Sequence, residues 1–448
     1  MMMNFLLIAF VAVVLLGSQS LVDAAFCSGT PDEGERESDF PIADANLKFI
    51  RSVKNAELYE AGPDNARFPV VHLWGTAYEM GFAQGQLVGK ELKEFIAGVW
   101  TWMLDAGIEE LGDKLPKWAE AKILNEGIER ALDWTARVTA PYTPQSYYDE
   151  VRGLADGSGV DYETLLRVNM MPELTKASCS FFGAWGKATE ASGHTYQLRA
   201  LDYVTDAKAF TDFNQVTIYH PSDGGIAHVS VSWPGTVGVL TAFSAEQIGI
   251  SEIGVSFADD SFGQGTDNTP PEKVHGQPWM SVLKDVVTYD HSLEEALTRI
   301  ENAHRTCNLI IGVGDGEESY VNGVEYSGYV AVPYDDKTLL PQNETWHQKI
   351  PDVVYNGMDW DCPGYTQKLM EQLQKYWGGI DVATTTQHIL PTVQTGDLHI
   401  AVTDLTDSKM HVSFCRSSTA SEDEPLYAYQ RQFTELPMKD LFALEPSH

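Results

Sequence analysis

Apolar and polar positions along this chain change period several times, and the order of the changes outlines its elements. Residues 70–87 open with the apolar run VVHLW and pass through Gly75 into a helical spacing, with Gly81 and Gly85 four apart on one face, where small residues permit close packing. Over residues 90–134 apolar side chains recur every three or four positions, with Ile96, Trp100, Leu104, Ile108 and Leu111 as core positions, so this region reads as mostly helical. Asp161 is placed to cap a short helix ending near Asn169. Cys179 stands among small residues at the start of an apolar run, and residues 194–203 beyond the turn Ala191-Ser192-Gly193 alternate enough to suggest a second strand, so the two read as a hairpin. Alternating strands follow at 216–219, 227–233, 237–243 and 248–257, separated by Pro- and Gly-containing turns, as in an antiparallel meander. Helical spacing returns at 279–289, at 292–303 with Ser292 and Glu295 at capping-box spacing, and after Pro363. Strands are expected at 306–313, 319–326, 398–404 and 410–415, while residues 26–44 read as a linker or lead-in over the surface and the last thirty residues as an irregular covering segment. Strands in consecutive runs with helices in blocks predict one large layered α+β domain rather than a doubly wound parallel sheet.

The second strand of the hairpin carries Arg199 and Asp202. Their odd spacing puts them on opposite faces of an ideal strand, so a kink or the strand's end is needed for both to approach Cys179. Taken alone, a cysteine in an apolar strand is most often a small buried core residue, and an R-x-x-D is most often an ion pair.

Composition narrows the classes. The 448 residues are 43% hydrophobic, enough for a large core and too polar overall for a multi-span membrane protein. A formal net charge of -34 repels nucleic acid and anionic membranes, so nucleic-acid partners are not expected. Residues 5–16 are uninterruptedly apolar and lead to small residues at Ala24 and Ala25; residues 1–25 are therefore expected to be a signal peptide, too short for a bilayer span. A secreted or lysosomal location follows as the default, with Asn343-Glu344-Thr345 as a glycosylation sequon. The five cysteines are Cys27, Cys179, Cys307, Cys362 and Cys415. If Cys179 is a free nucleophile, the other four allow two disulfides in three connectivities, with Cys27 available to tie the N-terminal segment to the C-terminal part. No C-x-x-C or H-E-x-x-H occurs, so a zinc site has no support.

The order of a cysteine, a turn and an R-x-x-D-Y strand at 199–203 resembles the cysteine-type N-terminal-nucleophile (Ntn) hydrolases, specifically the acyl-coenzyme A:6-aminopenicillanate acyltransferase family and its acid-ceramidase-like relatives. Two blocks upstream strengthen the resemblance: Gly75, Glu79, Gly81 and Gly85 match a G-x-x-x-E-x-G-x-x-x-G signature, and Glu150, Gly153, Ala155, Gly157 and Gly159 match the block that precedes the cysteine. The resemblance implies a four-layer αββα sandwich of two antiparallel sheets between helical layers, and no cofactor. It further implies cleavage between Ser178 and Cys179, which would leave residues 26–178 as a mostly helical α chain associated with a core β chain, 179–448. The freed α-amino group would act as base, Arg199 would supply positive charge, Asp202 would orient the ammonium and Asn308 would donate to the oxyanion. The implied substrates are linear amides, small or lipid-like, such as ceramide. Acyl transfer, or a non-catalytic secreted binding protein on the same fold, are the alternatives.

Overall fold

The computed structural model describes residues 29–105, 123–124, 126–175, 177–263 and 275–446. The expected signal peptide, Cys27, Ile108 and Leu111 lie outside the described residues.

Two sheets are formed among the described residues. The smaller has seven strands in the order Ala43–Asp44, Thr434–Pro437, Lys409–Phe414, His399–Asp404, Tyr196–Asp202, Ser178–Ala184 and Val353–Met358. The larger has ten, running from Ala331–Tyr334 at one edge through Leu309–Asp315, Ile248–Gly254 and Phe68–Gly75 to Lys48–Val53 at the other. Strands buried on both faces need a cover on both sides, and the central strands here are buried at every position. The sheets cover each other on one face. Gln197 donates from Nε2 to Ser251 Oγ (2.9 Å) and to the Gly312 carbonyl (3.2 Å) across the gap, and a β-carbon on Gly312 would stand 2.7 Å from the Phe181 ring.

Helices cover the outer faces. Met80, Ala83 and Leu87 of helix Ala77–Leu87 pack with Ala56, Leu58, Val71, Leu73 and Tyr219 of the larger sheet. Helix Pro363–Lys375 lies on the smaller one, where Thr366 Oγ1 donates to the Gly357 carbonyl at 3.0 Å. The result is the αββα sandwich.

The glycine blocks turn out to be two halves of one contact. Helix Ala77–Leu87, capped by Thr76 and Glu79, crosses helix Gln145–Ser158 at backbone distance. A β-carbon on Gly81 would lie 2.2 Å from the Glu150 carbonyl oxygen, and one on Gly153 2.2 Å from that of Tyr78. Only glycine allows this approach.

The hairpin, the meander, helix Trp279–Tyr289 and the Asp161 cap stand where the pattern places them. Three features differ. The last thirty residues are not merely irregular: Thr434–Pro437 pairs with Lys409–Phe414 and leads into helix Met438–Phe442, elements too short for a periodic signal. The strand expected from 306 begins at Leu309, because Cys307 adopts a left-handed φ of 59° that breaks the extended backbone. The segment before Cys179 contributes strands as well as helices: Phe68–Gly75 lies between Ala56–Ala61 and Gln215–Pro221, pairing in parallel with the latter. Neither sheet is therefore purely antiparallel, since Ala43–Asp44 also runs parallel to Thr434–Pro437.

Candidate active site

Strand register sets the geometry around Cys179. Ser178–Ala184 pairs antiparallel with Tyr196–Asp202 so that Cys179 faces Leu201, Phe181 faces Arg199 and Ser178 faces Asp202. Opposed residues share a face of the sheet, so Cys179 and Arg199 point between the sheets while Asp202 points outward. The odd spacing thus keeps its consequence. Arg199 approaches the thiol on one side of the sheet, and Asp202 lies across from the residue before it on the other.

Arg199 is 1% exposed, and its guanidinium is fully engaged. Nη2 donates to Cys179 Sγ (3.3 Å) and reaches Glu252 Oε2 (3.4 Å), Nε donates to the Glu252 carbonyl (3.3 Å), and Nη1 donates to His399 Nε2 (2.9 Å). Burial, and then the Arg199 charge, hold His399 neutral far below its ordinary range, which leaves Nε2 free to accept. Glu252 balances the cation in the gap between the sheets. Burial pushes the Cys179 thiol far above its ordinary value, while Arg199 and the Asp202 backbone amide work against that rise. The thiol is held neutral beside its cation.

Asp202 is fully buried and takes three hydrogen bonds, from Thr395 Oγ1 (2.6 Å), the Gly396 amide (2.8 Å) and the Asp397 amide (3.1 Å). Thr395 in turn bonds Ser180 Oγ at 2.7 Å, tying this loop to the cysteine strand. Burial pushes the carboxyls of Asp202 and Asp397 up, and the Asp202 charge raises Asp397 further. Asp202 has the donors, so it holds the negative charge and Asp397 the proton.

Asn308 is 4% exposed and stands one residue before strand Leu309–Asp315, where its carbonyl accepts the Val255 amide at 3.0 Å. Among the described residues no hydrogen bond joins it to Cys179 or Arg199. Its neighbours Cys307 and Leu309 line a cavity of about 100 Å³. Arg199, Leu201, Phe210, Trp233 and Glu252 line it too, as do Thr175 and Ala177 from the segment leading to Ser178. The cavity is mainly apolar and lies beside the strand position that faces Cys179.

The remaining cysteines correct one expectation. Neither Cys307 nor Cys415 is in a disulfide, so the two disulfides that four cysteines would allow do not form; Cys307 instead donates to Glu173 and Cys415 accepts from Asn214. Cys362 is not among the free thiols. Asn343 is half-buried in a loop, its Oδ1 accepting from the Thr345 hydroxyl at 2.7 Å. No helix of the described residues is long and apolar enough to cross a membrane.

Glu252, His399 and Thr395 escaped the sequence reading. The glutamate had a signal, being the one acidic residue in the apolar strand IGISEIG. The other two are brought in by pairing across some two hundred positions, which spacing does not show.

No family model matches the chain. Protein dcd1A of Dictyostelium discoideum is 34% identical over 446 residues, 96% of this chain and 98% of that one. Protein dcd1B of the same organism is 34% identical over 423 residues, 91% of this chain and 81% of its own. Among solved structures, a Caenorhabditis elegans ortholog of N-acylethanolamine-hydrolyzing acid amidase covers 58% of this chain and 100% of its own at 14% identity, with a TM-score of 0.38.

Proposed function

This chain belongs to the family of the dcd1A and dcd1B proteins of Dictyostelium discoideum, and from that premise and the geometry around Cys179 we propose that it is a self-cleaving hydrolase of linear amide carbon–nitrogen bonds. The observation that carries the reading is the buried contact of the Arg199 guanidinium with the Cys179 thiol at 3.3 Å, with Asp202 paired across from Ser178. A cation fixed beside a thiol stabilises the thiolate and the negative charge that develops on an attacked carbonyl.

Maturation comes first. The Cys179 sulfur attacks the Ser178 carbonyl carbon, the carbon–nitrogen bond breaks, and the acyl group moves to sulfur while the nitrogen gains the thiol's proton. Water then cleaves the thioester, freeing the Ser178 carboxylate and the Cys179 α-amine. That amine is the base the intact chain lacks. In turnover it takes the thiol proton, the thiolate attacks the substrate amide, and the proton passes to the departing amine. Water, activated by the same amine, resolves the acyl-thioester. Asp202 orients the ammonium, Arg199 holds the thiolate, and Asn308 donates to the oxyanion.

We assign N-acyl lipid amides such as ceramide as the substrate class. The apolar cavity beside Leu201, walled by Phe210 and Trp233, supports an acyl chain better than a polar one. Export to a lysosomal or extracellular location, with a glycan on Asn343, belongs to the same proposal. Hydrolysis of a panel of ceramide, N-acylethanolamine and short-chain acyl amides by the cut protein, beside Cys179→Ala, tests it. Lipid amide turnover lost in the variant supports the assignment; equal rates in both proteins refute it.

A further inference from the structure

Five residues before the expected cut stands a carboxyl that the reaction above does not use. Glu173 is 7% exposed in the short 3-10 turn Met171–Glu173. It joins three separate segments. Oε1 accepts the backbone amide of Trp279, the first residue of helix Trp279–Tyr289, at 2.8 Å. The Thr306 hydroxyl, which donates to the Gln277 carbonyl at 3.3 Å, lies beside the same carboxyl. The Cys307 thiol donates to Oε2 (3.6 Å) and to the Glu173 carbonyl (3.5 Å). The adjacent Pro172 carbonyl accepts from Trp279 Nε1 at 2.9 Å, so the turn is fastened twice to the same helix start.

What the carboxyl grips matters more than how firmly. Cys307 has a left-handed φ of 59°, a conformation that costs a β-carbon-bearing residue energy and persists only where its surroundings impose it. That one residue redirects the chain between Thr306 and the strand, and so sets where Asn308 stands. The side chain at the bend, Cys307, is tied to Glu173, and Thr306 before it is tied to the Gln277 carbonyl two residues before Trp279. The cavity wall at Cys307 and Leu309 is thereby held by a residue of the N-terminal segment.

We propose that Glu173 is a positioning residue that fixes Asn308 for its oxyanion role, so that after cleavage the site is shared between the two chains. This rests on the reading of Asn308 given above. The N-terminal chain then serves the reaction beyond its strands and helices: its last helical turn holds one wall of the site from the other side of the cut.

The test uses Glu173→Ala and Glu173→Gln in the full chain. In the cut enzyme, alanine should lower kcat at least about thirtyfold with KM within about threefold, short of the ~10²-fold or more of losing an oxyanion donor outright. Glutamine keeps an acceptor for the Trp279 amide and should restore kcat to within about threefold of the parent. A second arm needs no activity: in a Cys179→Ala background, hydrogen exchange at Asn308 and at Val255, whose amide the Asn308 carbonyl accepts, should quicken at least about tenfold with alanine and not with glutamine. Amides of helix Pro363–Lys375 should be unaffected. A kcat within about threefold for the alanine variant, a rise in KM alone, or unchanged exchange at Asn308 and Val255 overturns the proposal. If the parent hydrolyses no amide the functional reading fails by itself, and the exchange arm still decides whether Glu173 positions Asn308.

Discussion

Replacing Glu173 with glutamine should change how stability depends on pH, and the size of the change follows from its surroundings. Burial raises its carboxyl from 4.5 to about 7, against the opposing bonds from Thr306, the Trp279 amide and Cys307. The ionisable groups facing it are Tyr147 from helix Gln145–Ser158, Tyr326 from strand Tyr320–Tyr326, and Cys307, none of them a cation. Because the folded chain binds this proton more tightly than the unfolded one, the contribution of Glu173 to stability is full below about pH 4.5 and is lost as pH rises through about 7. The whole loss is about 3 kcal/mol, each pH unit between the two values being worth about 1.4 kcal/mol. The glutamine variant has no such proton to lose. In a Cys179→Ala background, which removes the thiol that would cut the chain, urea unfolding between about pH 4 and 8.5 should show the variant gaining about 3 kcal/mol on its parent towards the alkaline end. A difference that is flat across that window, or that grows in the opposite direction, would refute the reasoning.

Three further outcomes are expected. Gly81→Ala puts a β-carbon 2.2 Å from the Glu150 carbonyl oxygen, so the two helices must part and thermal unfolding should register a loss of about 1–3 kcal/mol; an unchanged melting temperature would contradict the contact. Arg199→Met leaves Glu252 buried without its cation and should cost about 3–5 kcal/mol by urea unfolding, largely recovered when Glu252→Gln is added; no recovery in the double variant would mean the pair does not balance itself. Cys27 should be the disulfide partner of Cys362: the Gly29 carbonyl lies 2.4 Å from where a Gly364 β-carbon would be, which brings the chain two residues after Cys27 against the helix turn two residues after Cys362. The two cut chains should then separate on electrophoresis only with reductant, and chains that separate without it would exclude the bond.

The local pattern carried far in this sequence. The hairpin of Cys179 and Arg199 is legible because both strands are short and bounded by turn residues and small side chains, and the Asp161 cap is a local hydrogen bond that spacing alone reveals. The glycine blocks could be read as close-packing faces, yet nothing in either block shows that the other is its partner seventy residues on. Partners of the buried charges were less accessible still. Arg199 meets Glu252 and His399 because two sheets stack, and Asp202 meets Thr395 because a distant loop folds over the strand's outer face. The cysteine count suggested two disulfides by arithmetic, but Cys307 was already taken by a left-handed turn against Glu173 and Cys415 by burial beside Asn214.

The proposal stands on one bond. Intact-mass measurement and N-terminal sequencing of the purified protein and of Cys179→Ala examine it directly. The account predicts a new N-terminus at Cys179 in the parent, the preceding chain ending at Ser178, and an uncut chain in the alanine variant. A new N-terminus elsewhere, or the same cut in the variant, would show that Cys179 is not the group that opens the chain.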